Sequence, residues 1–141
     1  GTGSALRLTP QMSLQQASRK AVVRFLRELQ QGMEVIQPPP GATLPYAVVR
    51  DDVAAICFYH LVPQTDRQEG AMELWRYRMD PGRTQPGERE LMLQNVRRLS
   101  FTARSEGALH VNLLLSEGSE EYAILTTVRL RNIASAEEVW W

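Results

Sequence analysis

The side chains that could support catalysis or bind a metal ion are few in this sequence. The chain has one cysteine, Cys57, and two histidines, His60 and His110. Cys57 and His60 could form a thiolate–imidazole pair, but they stand three residues apart in an apolar run, Val53 to Val62, that predicts a strand. Side chains three apart in a strand point to opposite faces, so we expect no such pair and interpret Cys57 as a buried core residue.

Carboxylates offer the remaining chemistry. Asp51-Asp52 and the cluster from Glu117 to Glu121 could bind a cation through oxygen atoms, but a turn cap and a solvated loop are the favoured interpretations. No zinc-protease, EF-hand, phosphate-loop, dinucleotide-binding or nucleophile-elbow motif occurs in the sequence. We therefore expect no catalytic residue, no metal, no cofactor and no small-molecule substrate. An enzyme site that uses His60, His110 and carboxylates in a deep pocket is the weakest alternative.

Charge also bears on the partners. The chain carries 16 basic and 16 acidic residues, so it has no excess positive charge to attract nucleic acid or an anionic membrane. Arg19, Lys20, Arg24 and Arg27 could form a basic helix face that contacts phosphate groups. Acidic residues interrupt this face, and a solvated surface is the favoured interpretation. We expect no specific nucleic acid partner.

The first element that must position these residues is a helix. Thr9 can cap it, with Pro10 at its first position, and the Pro38-Pro39-Pro40-Gly41 run ends it. Apolar residues recur at three- and four-residue spacing and predict one amphipathic helix that continues as far as Ile36. They are Leu14, Ala21, Val22, Phe25, Leu26, Leu29, Met33 and Ile36.

After Gly41 the apolar spacing changes to the two-residue period of strands. We predict a weak strand over Leu44 to Val49, a central strand over Val53 to Val62, an alternating strand over Met72 to Met79, and a polar loop to about Glu90. Three further strands have the inward sets Leu99/Phe101/Ala103, Leu109/Val111/Leu113/Leu115 and Tyr122/Ile124/Thr126/Val128/Leu130. A helix followed by hairpins predicts an α+β fold, with the long amphipathic helix packed on an antiparallel sheet.

Several short segments, taken in order, resemble a known family. They are Arg19 to Leu29 (RKAVVRFLREL), Cys57 to Leu61 (CFYHL), Leu74 to Arg78 (LWRYR), Leu91 to Phe101 (LMLQNVRRLSF) and Val128 to Asn132 (VRLRN). Their order and spacing are similar to those of the minor pseudopilins of type II secretion and the related type IV minor pilins, most closely the J-type. The resemblance implies a pilin-like head domain over residues 5–141.

The resemblance also implies what would precede this head. Members of the family begin with a basic leader, a processing site and an apolar membrane helix, which this sequence lacks. Gly1-Thr2-Gly3-Ser4 looks like an expression-tag remnant, so we expect that the membrane helix was removed. The expected protein is periplasmic, is anchored in the inner membrane through that helix, and assembles near the tip of a pseudopilus with other minor pseudopilins or pilins.

Such an assembly needs contact residues. Our candidates are Arg24 and Arg27 on the helix, Arg83 in the loop after Met79, and the terminal pair Trp140 and Trp141. Two exposed indoles either fold back on the domain or contact a partner, and the sequence leaves that choice open. The alternative function is a type IV minor pilin in adhesion or DNA uptake, in which the arginine-bearing surface binds a polyanion.

Overall fold

The computed structural model describes residues 10–65, 70–83, 85, 87–105 and 107–131, with backbone only for residues 10–15. Within these ranges the chain forms one helix and eight strands. Their bounds are α1 Pro10–Gln30, β1 Gly32–Gln37, β2 Thr43–Leu44, β3 Ala47–Asp51, β4 Ile56–Pro63, β5 Met72–Met79, β6 Arg89–Ala103, β7 Ala108–Glu117 and β8 Glu120–Arg129. No helix in the described part of the chain is long and apolar enough to cross a membrane.

The predicted fold class is wrong. The described chain is mainly β, with a short helix of 21 residues and an eight-stranded antiparallel sheet that curls, and not a long helix packed on a sheet. The helix ends at Gln30, and the segment that was predicted to continue it to Ile36 is strand β1. The α+β, pilin-like prediction failed because one apolar stripe was assigned to a single element when it belongs to two.

Gly32 marks the change from helix to strand. It is buried and lies opposite Asp51 in the ladder between β1 and β3. A Cβ atom at this position would lie 2.6 Å from Cγ1 of Val49, so only glycine lets β1 approach β3 this closely. Val35 and Ile36, which are β-branched, then favour a strand. The helix-like spacing of the apolar residues Met33 and Ile36, which lie in β1, is therefore a coincidence.

The strand order in the sheet is β1-β3-β4-β5-β6-β7-β8, and β2 pairs with β6 away from this path. β6 has 15 residues; its first half pairs with β5, and its second half pairs with β7. β2 joins that second half through Thr43 opposite Thr102 and Leu44 opposite Phe101. Because β2 directly precedes β3, which lies three places from β6 in the order, the sheet must curl to bring β2 to β6.

The core lies between α1 and the concave inner face of this sheet. Val22, Phe25 and Leu29 of α1 are at most 1% exposed. The Phe25 ring makes edge-to-face contacts with Tyr59 and Phe101, at centroid distances of 5.6 and 6.2 Å. The three predicted inward sets do face this core: most of their members are buried, and Tyr122 and Ile124 are partly buried against it.

The other strand predictions were partly correct. Met72 to Met79 is a strand as predicted, and the Asp80-Pro81-Gly82 turn follows it, with Gly82 at a φ of 75°. The weak strand predicted over Leu44 to Val49 is split into β2 and β3, because Pro45 cannot donate to a ladder. The loop predicted up to Glu90 ends early, since β6 already begins at Arg89.

Asn95 explains why the first half of β6 was not recognised as a strand. It has a φ of 59°, and the β5–β6 and β6–β7 ladders shift register close to it. Its backbone N–H donates to Oε1 of Gln64 at 2.6 Å, and its amide donates to Oε1 of Glu117 at 2.8 Å. These bonds hold a bulge that breaks the apolar alternation of the sequence.

Candidate functional site

The outer face of β4 and β5, together with Tyr46 directly before β3, carries a cluster of large apolar side chains turned away from the core. We call it the aromatic face and define it by Tyr46, Phe58, Trp75, Tyr77 and Met79. Phe58 lies opposite Tyr77 in the β4–β5 ladder, and their rings meet edge to face with centroids 6.3 Å apart and planes at 89°. An aromatic pair of this kind contributes about 0.5–1.5 kcal/mol beyond simple burial. Here it sits at the surface.

The alternation of β5 places these rings outside. In Met72–Met79 the inner positions hold Leu74 and Arg76, which are buried, and the outer positions hold Trp75, Tyr77 and Met79. The sequence predicted this division of the strand into two sets. It did not predict which set would face the core, and the set with the two aromatic rings faces outward.

A shallow groove runs across the aromatic face. Its volume is about 350 Å³, and it is lined by Tyr46, Ala47, Phe58, Tyr59, His60, Tyr77 and Met79. Tyr46 is 41% exposed and Phe58 is 36% exposed. Almost all of the surface that lines the groove is apolar. Grooves of this composition bind apolar side chains through exclusion of water.

One edge of the aromatic face is polar. The guanidinium of Arg89 lies over the ring of Trp75, 4.8 Å from its centroid, and the indole N–H of Trp75 donates to Oε1 of Glu73 at 2.9 Å. Arg89 forms no ion pair with any other residue that the structure describes. It is thus a fixed cation beside an apolar groove, with hydrogen-bond donors left for a partner's carboxylate.

A cluster of charges lies on the opposite, inner face, beneath α1. Arg76 forms ion pairs with Glu28 of α1 and, at 2.7 Å, with Glu90 of β6, and Glu90 also pairs with Arg24. The hydroxyl of Tyr59 donates to Oε2 of Glu28 at 2.7 Å. Two cations and two anions therefore balance. This cluster joins the helix to three strands, which is a structural role.

The pKa values near this cluster argue against a nucleophile. Burial, followed by the charge of Asp51, raises the pKa of the Cys57 thiol to about 11. Burial, followed by the charge of Glu28, raises the pKa of Tyr59 well above its ordinary 10. Both groups are therefore protonated at neutral pH, and a thiol is a much weaker nucleophile than a thiolate.

The histidines do not meet. His60 lies on β4 and His110 on β7, which are separated in the sheet by β5 and β6. The Nδ1 atom of His110 is 3.1 Å from the hydroxyl of Thr127, on the outer face of β7 and β8. Cys57 is buried in the core, on the face of β4 opposite to His60, as predicted. Among the described residues no group of three or more potential ligands could hold a metal ion.

The predicted contact residues are scattered. Arg24 is 59% exposed at its side chain and is held by Glu90, whereas Arg27 is exposed in the last turn of α1. Arg83 is exposed after the Asp80 turn, and its N–H donates to the Asp80 carbonyl at 3.3 Å. Trp140 and Trp141 lie outside the described residues. The structure brings none of the described three onto the aromatic face.

Sequence reasoning missed the aromatic face although its signal was present. Phe58 and Tyr77 were each placed in a strand, but the pairing of β4 with β5 sets them side by side. A strand that is apolar on both of its faces was taken as buried on both.

Comparison of the chain with protein-family models, with curated proteins and with solved structures found no match in any of the three.

Proposed function

We propose that the protein is a structural subunit of a pseudopilus or pilus, a tip-located minor pseudopilin that assembles with other minor pseudopilins in type II protein secretion. Two observations support this. The segments Arg19 to Leu29, Leu91 to Phe101 and Val128 to Asn132 resemble that family in order and spacing. In addition, the described surface offers an apolar contact face. The resemblance implies a periplasmic subunit that is anchored in the inner membrane.

The edge-to-face pair of Phe58, which is 36% exposed, with the partly buried Tyr77 is the observation that carries the proposal. Large aromatic side chains at the centre of a patch are typical anchors of protein–protein interfaces, and they contribute most of the binding energy there. The uncharged groove beside them fits an apolar side chain. Arg89 at the polar edge has no carboxylate partner within the described chain. The proposed partner, another pseudopilin head, should therefore present an apolar anchor next to an acidic residue.

The test is a binding measurement between this chain and the heads of the minor pseudopilins of the same organism. The double variant Phe58→Ser with Tyr77→Ser should weaken complex formation at least ~100-fold, because a hot-spot residue typically contributes about 2 kcal/mol or more. Isothermal titration calorimetry and sedimentation velocity measure the change. Arg89→Glu should weaken the complex by a smaller factor.

A matched control comes from the other half of the sheet. The double variant His110→Ala with Asn112→Ala alters two polar side chains on the outer face of β7 and should leave the affinity unchanged. If the Phe58/Tyr77 variant is folded and binds the partner heads as tightly as the unaltered chain, the aromatic face is not the contact. If no head binds the unaltered chain, the assembly role itself is refuted.

The same measurements separate the alternative role in DNA uptake or adhesion. Of the basic helix residues, Arg24 is paired with Glu90 and Arg19 lies over the Tyr122 ring at 5.5 Å, which leaves Lys20 and Arg27. A polyanion site would show DNA binding that falls steeply with salt. Tight, salt-dependent binding of duplex DNA by the unaltered chain would favour that role over head-to-head assembly.

A further inference from the structure

Strand β8 is a long and regular edge. It lies at the end of the strand order, and within the residues that the structure describes only β7 pairs with it. The ladder with β7 runs from Ala108 opposite Arg129 to Glu117 opposite Glu120 without a register shift. The strand contains neither proline nor lysine. Natural sheets usually interrupt exposed edges with such features, because an uninterrupted edge pairs with other chains.

Two hydrogen bonds at its end identify the free backbone groups. The N–H of Leu130 donates to the carbonyl of Gly107, on the β7 side, and the N–H of Arg131 donates to the carbonyl of Gln30, on the other side. Because successive residues of a strand turn their N–H and C=O groups to alternate sides, the backbone groups of the even-numbered residues bond to β7. The backbone N–H and C=O groups of the odd-numbered residues from Glu121 to Arg129 therefore point to the free edge. This free edge ends at Arg131, whose N–H is bound to Gln30.

We propose that this edge pairs antiparallel with β8 of a second copy of the chain, around a two-fold axis at Leu125. This pairing sets Glu121 opposite the partner's Arg129 and Leu125 opposite the partner's Leu125. Glu121 and Arg129 are exposed, and neither has an ion pair within the described chain. Leu125 is 68% exposed, more than any other large apolar residue of the described surface. Self-pairing matches both charges and covers the leucine.

The register follows from the same residues. If the axis shifts by one residue in either direction, Glu121 no longer lies opposite the partner's Arg129. An axis at Ile124 sets Glu121 opposite Thr127. An axis at Thr126 sets it opposite Arg131, whose N–H is already bound to Gln30. On the inner face, the axis at Leu125 sets Ile124 opposite the partner's Thr126. Tyr122 and Ile124 form a row of partly buried side chains that packs on the core. In the dimer, the rows of the two copies would join into one.

An interface of one strand pair buries little area, so the dimer is weak. Interfaces well below about 1,000 Å² form transient complexes, and we expect a dissociation constant on the order of 10–100 μM. Sedimentation equilibrium of the full chain over that concentration range should show a reversible monomer–dimer equilibrium. This dimer does not depend on the proposed function, because β6 and β7 separate β8 from the strands of the aromatic face.

Charge exchange tests the register. Glu121→Arg sets two arginines opposite each other and should weaken the dimer at least ~10-fold, as should Arg129→Glu. The double variant with both substitutions restores opposite charges and should restore the dimer. The variant Phe58→Ser with Tyr77→Ser should dimerise normally, which separates this interface from the aromatic face.

A disulfide test reports the axis directly. In Leu125→Cys the two new thiols meet at the axis, about 5.5 Å apart at their Cα atoms, and a mild oxidant should join them. Ala123→Cys is the control, since its thiol lies opposite Thr127 and not opposite itself. A chain that stays monomeric at the highest concentration, a dimer that Glu121→Arg does not weaken, or a dimer that cross-links at position 123 and not at 125 would each overturn the proposal.

Discussion

Phe58 and Tyr59 are neighbours on β4, yet their rings belong to two aromatic clusters on opposite faces of the sheet. Tyr59 points inward and is 2% exposed, with its ring edge to face against Phe25. Phe58 points outward and is 36% exposed, with its ring edge to face against Tyr77. The ring geometry is much the same in both clusters. The difference is that helix α1 covers the inner cluster and not the outer one.

This comparison shows that composition alone does not distinguish a core from a contact face. A strand with aromatic residues on both sides satisfies the same sequence pattern whether its second face is covered by its own chain or by another one. The inner cluster should contribute to folding, and the outer cluster should contribute to binding. A substitution on one side of the sheet should therefore change only the matching property.

The largest expected effect is on the inner side. Phe101→Ala removes a ring that is 0% exposed and leaves a cavity between Phe25 and β2, so the free energy of unfolding should fall by about 3–5 kcal/mol. Phe58→Ala, the matched outer substitution, should cost less than about 1.5 kcal/mol, because the ring is already partly hydrated. Urea unfolding followed by fluorescence measures both. Equal losses would mean that the outer cluster is also part of the core.

The second effect tests the charges of the inner face. Arg76→Leu leaves Glu28 and Glu90 without their shared cation in a partly buried site, and the free energy of unfolding should fall by about 2–3 kcal/mol. Arg24→Ala removes an exposed partner of Glu90 and should cost less than about 1 kcal/mol. A cost at Arg76 as small as that at Arg24 would show that the cluster does not hold α1 on the sheet.

Much of the strand pattern could be read from the sequence, because local alternation sets it. The inward sets of β7 and β8 repeat every second residue, and the turns between them contain glycine, so pattern and structure agree. β5 was predicted with its true bounds for the same reason. Where one face is clearly apolar and the other polar, the period of two leaves little choice.

The predictions that failed concern features that are set by contacts between residues far apart in the chain. The end of α1 at Gln30 is set by the approach of Gly32 to Val49 in β3, which no local period records. The first half of β6 was missed because a bulge at Asn95, held by Gln64 and Glu117, breaks the alternation. The aromatic face required the β4–β5 register. Spacing predicted the elements and not their partners.

The smallest expected effect concerns Cys57, the inward neighbour of Phe58. Burial raises the pKa of this thiol to about 11 from its ordinary 9.0. The folded chain therefore holds the proton more tightly than the unfolded chain does, so this contribution to stability is complete below pH 9 and is lost as the pH rises from 9 to 11. Unfolding free energies should show a loss on the order of 2 kcal/mol over this range that Cys57→Ala lacks.

Tyr59 also ionises in this range once the chain is unfolded, because burial raises its pKa well above 10 only in the folded chain, so the difference between the two chains isolates the thiol. A variant Phe58→Cys in the Cys57→Ala background moves the only thiol by one residue to the outer face. A thiol-reactive dye at pH 8 should modify it far faster than Cys57, because an exposed thiol ionises near its ordinary pKa. Equal reaction rates of the thiols at positions 57 and 58 would contradict the burial of one face of β4 and the exposure of the other. So would free energies of unfolding that fall equally above pH 9 in the unaltered chain and in Cys57→Ala.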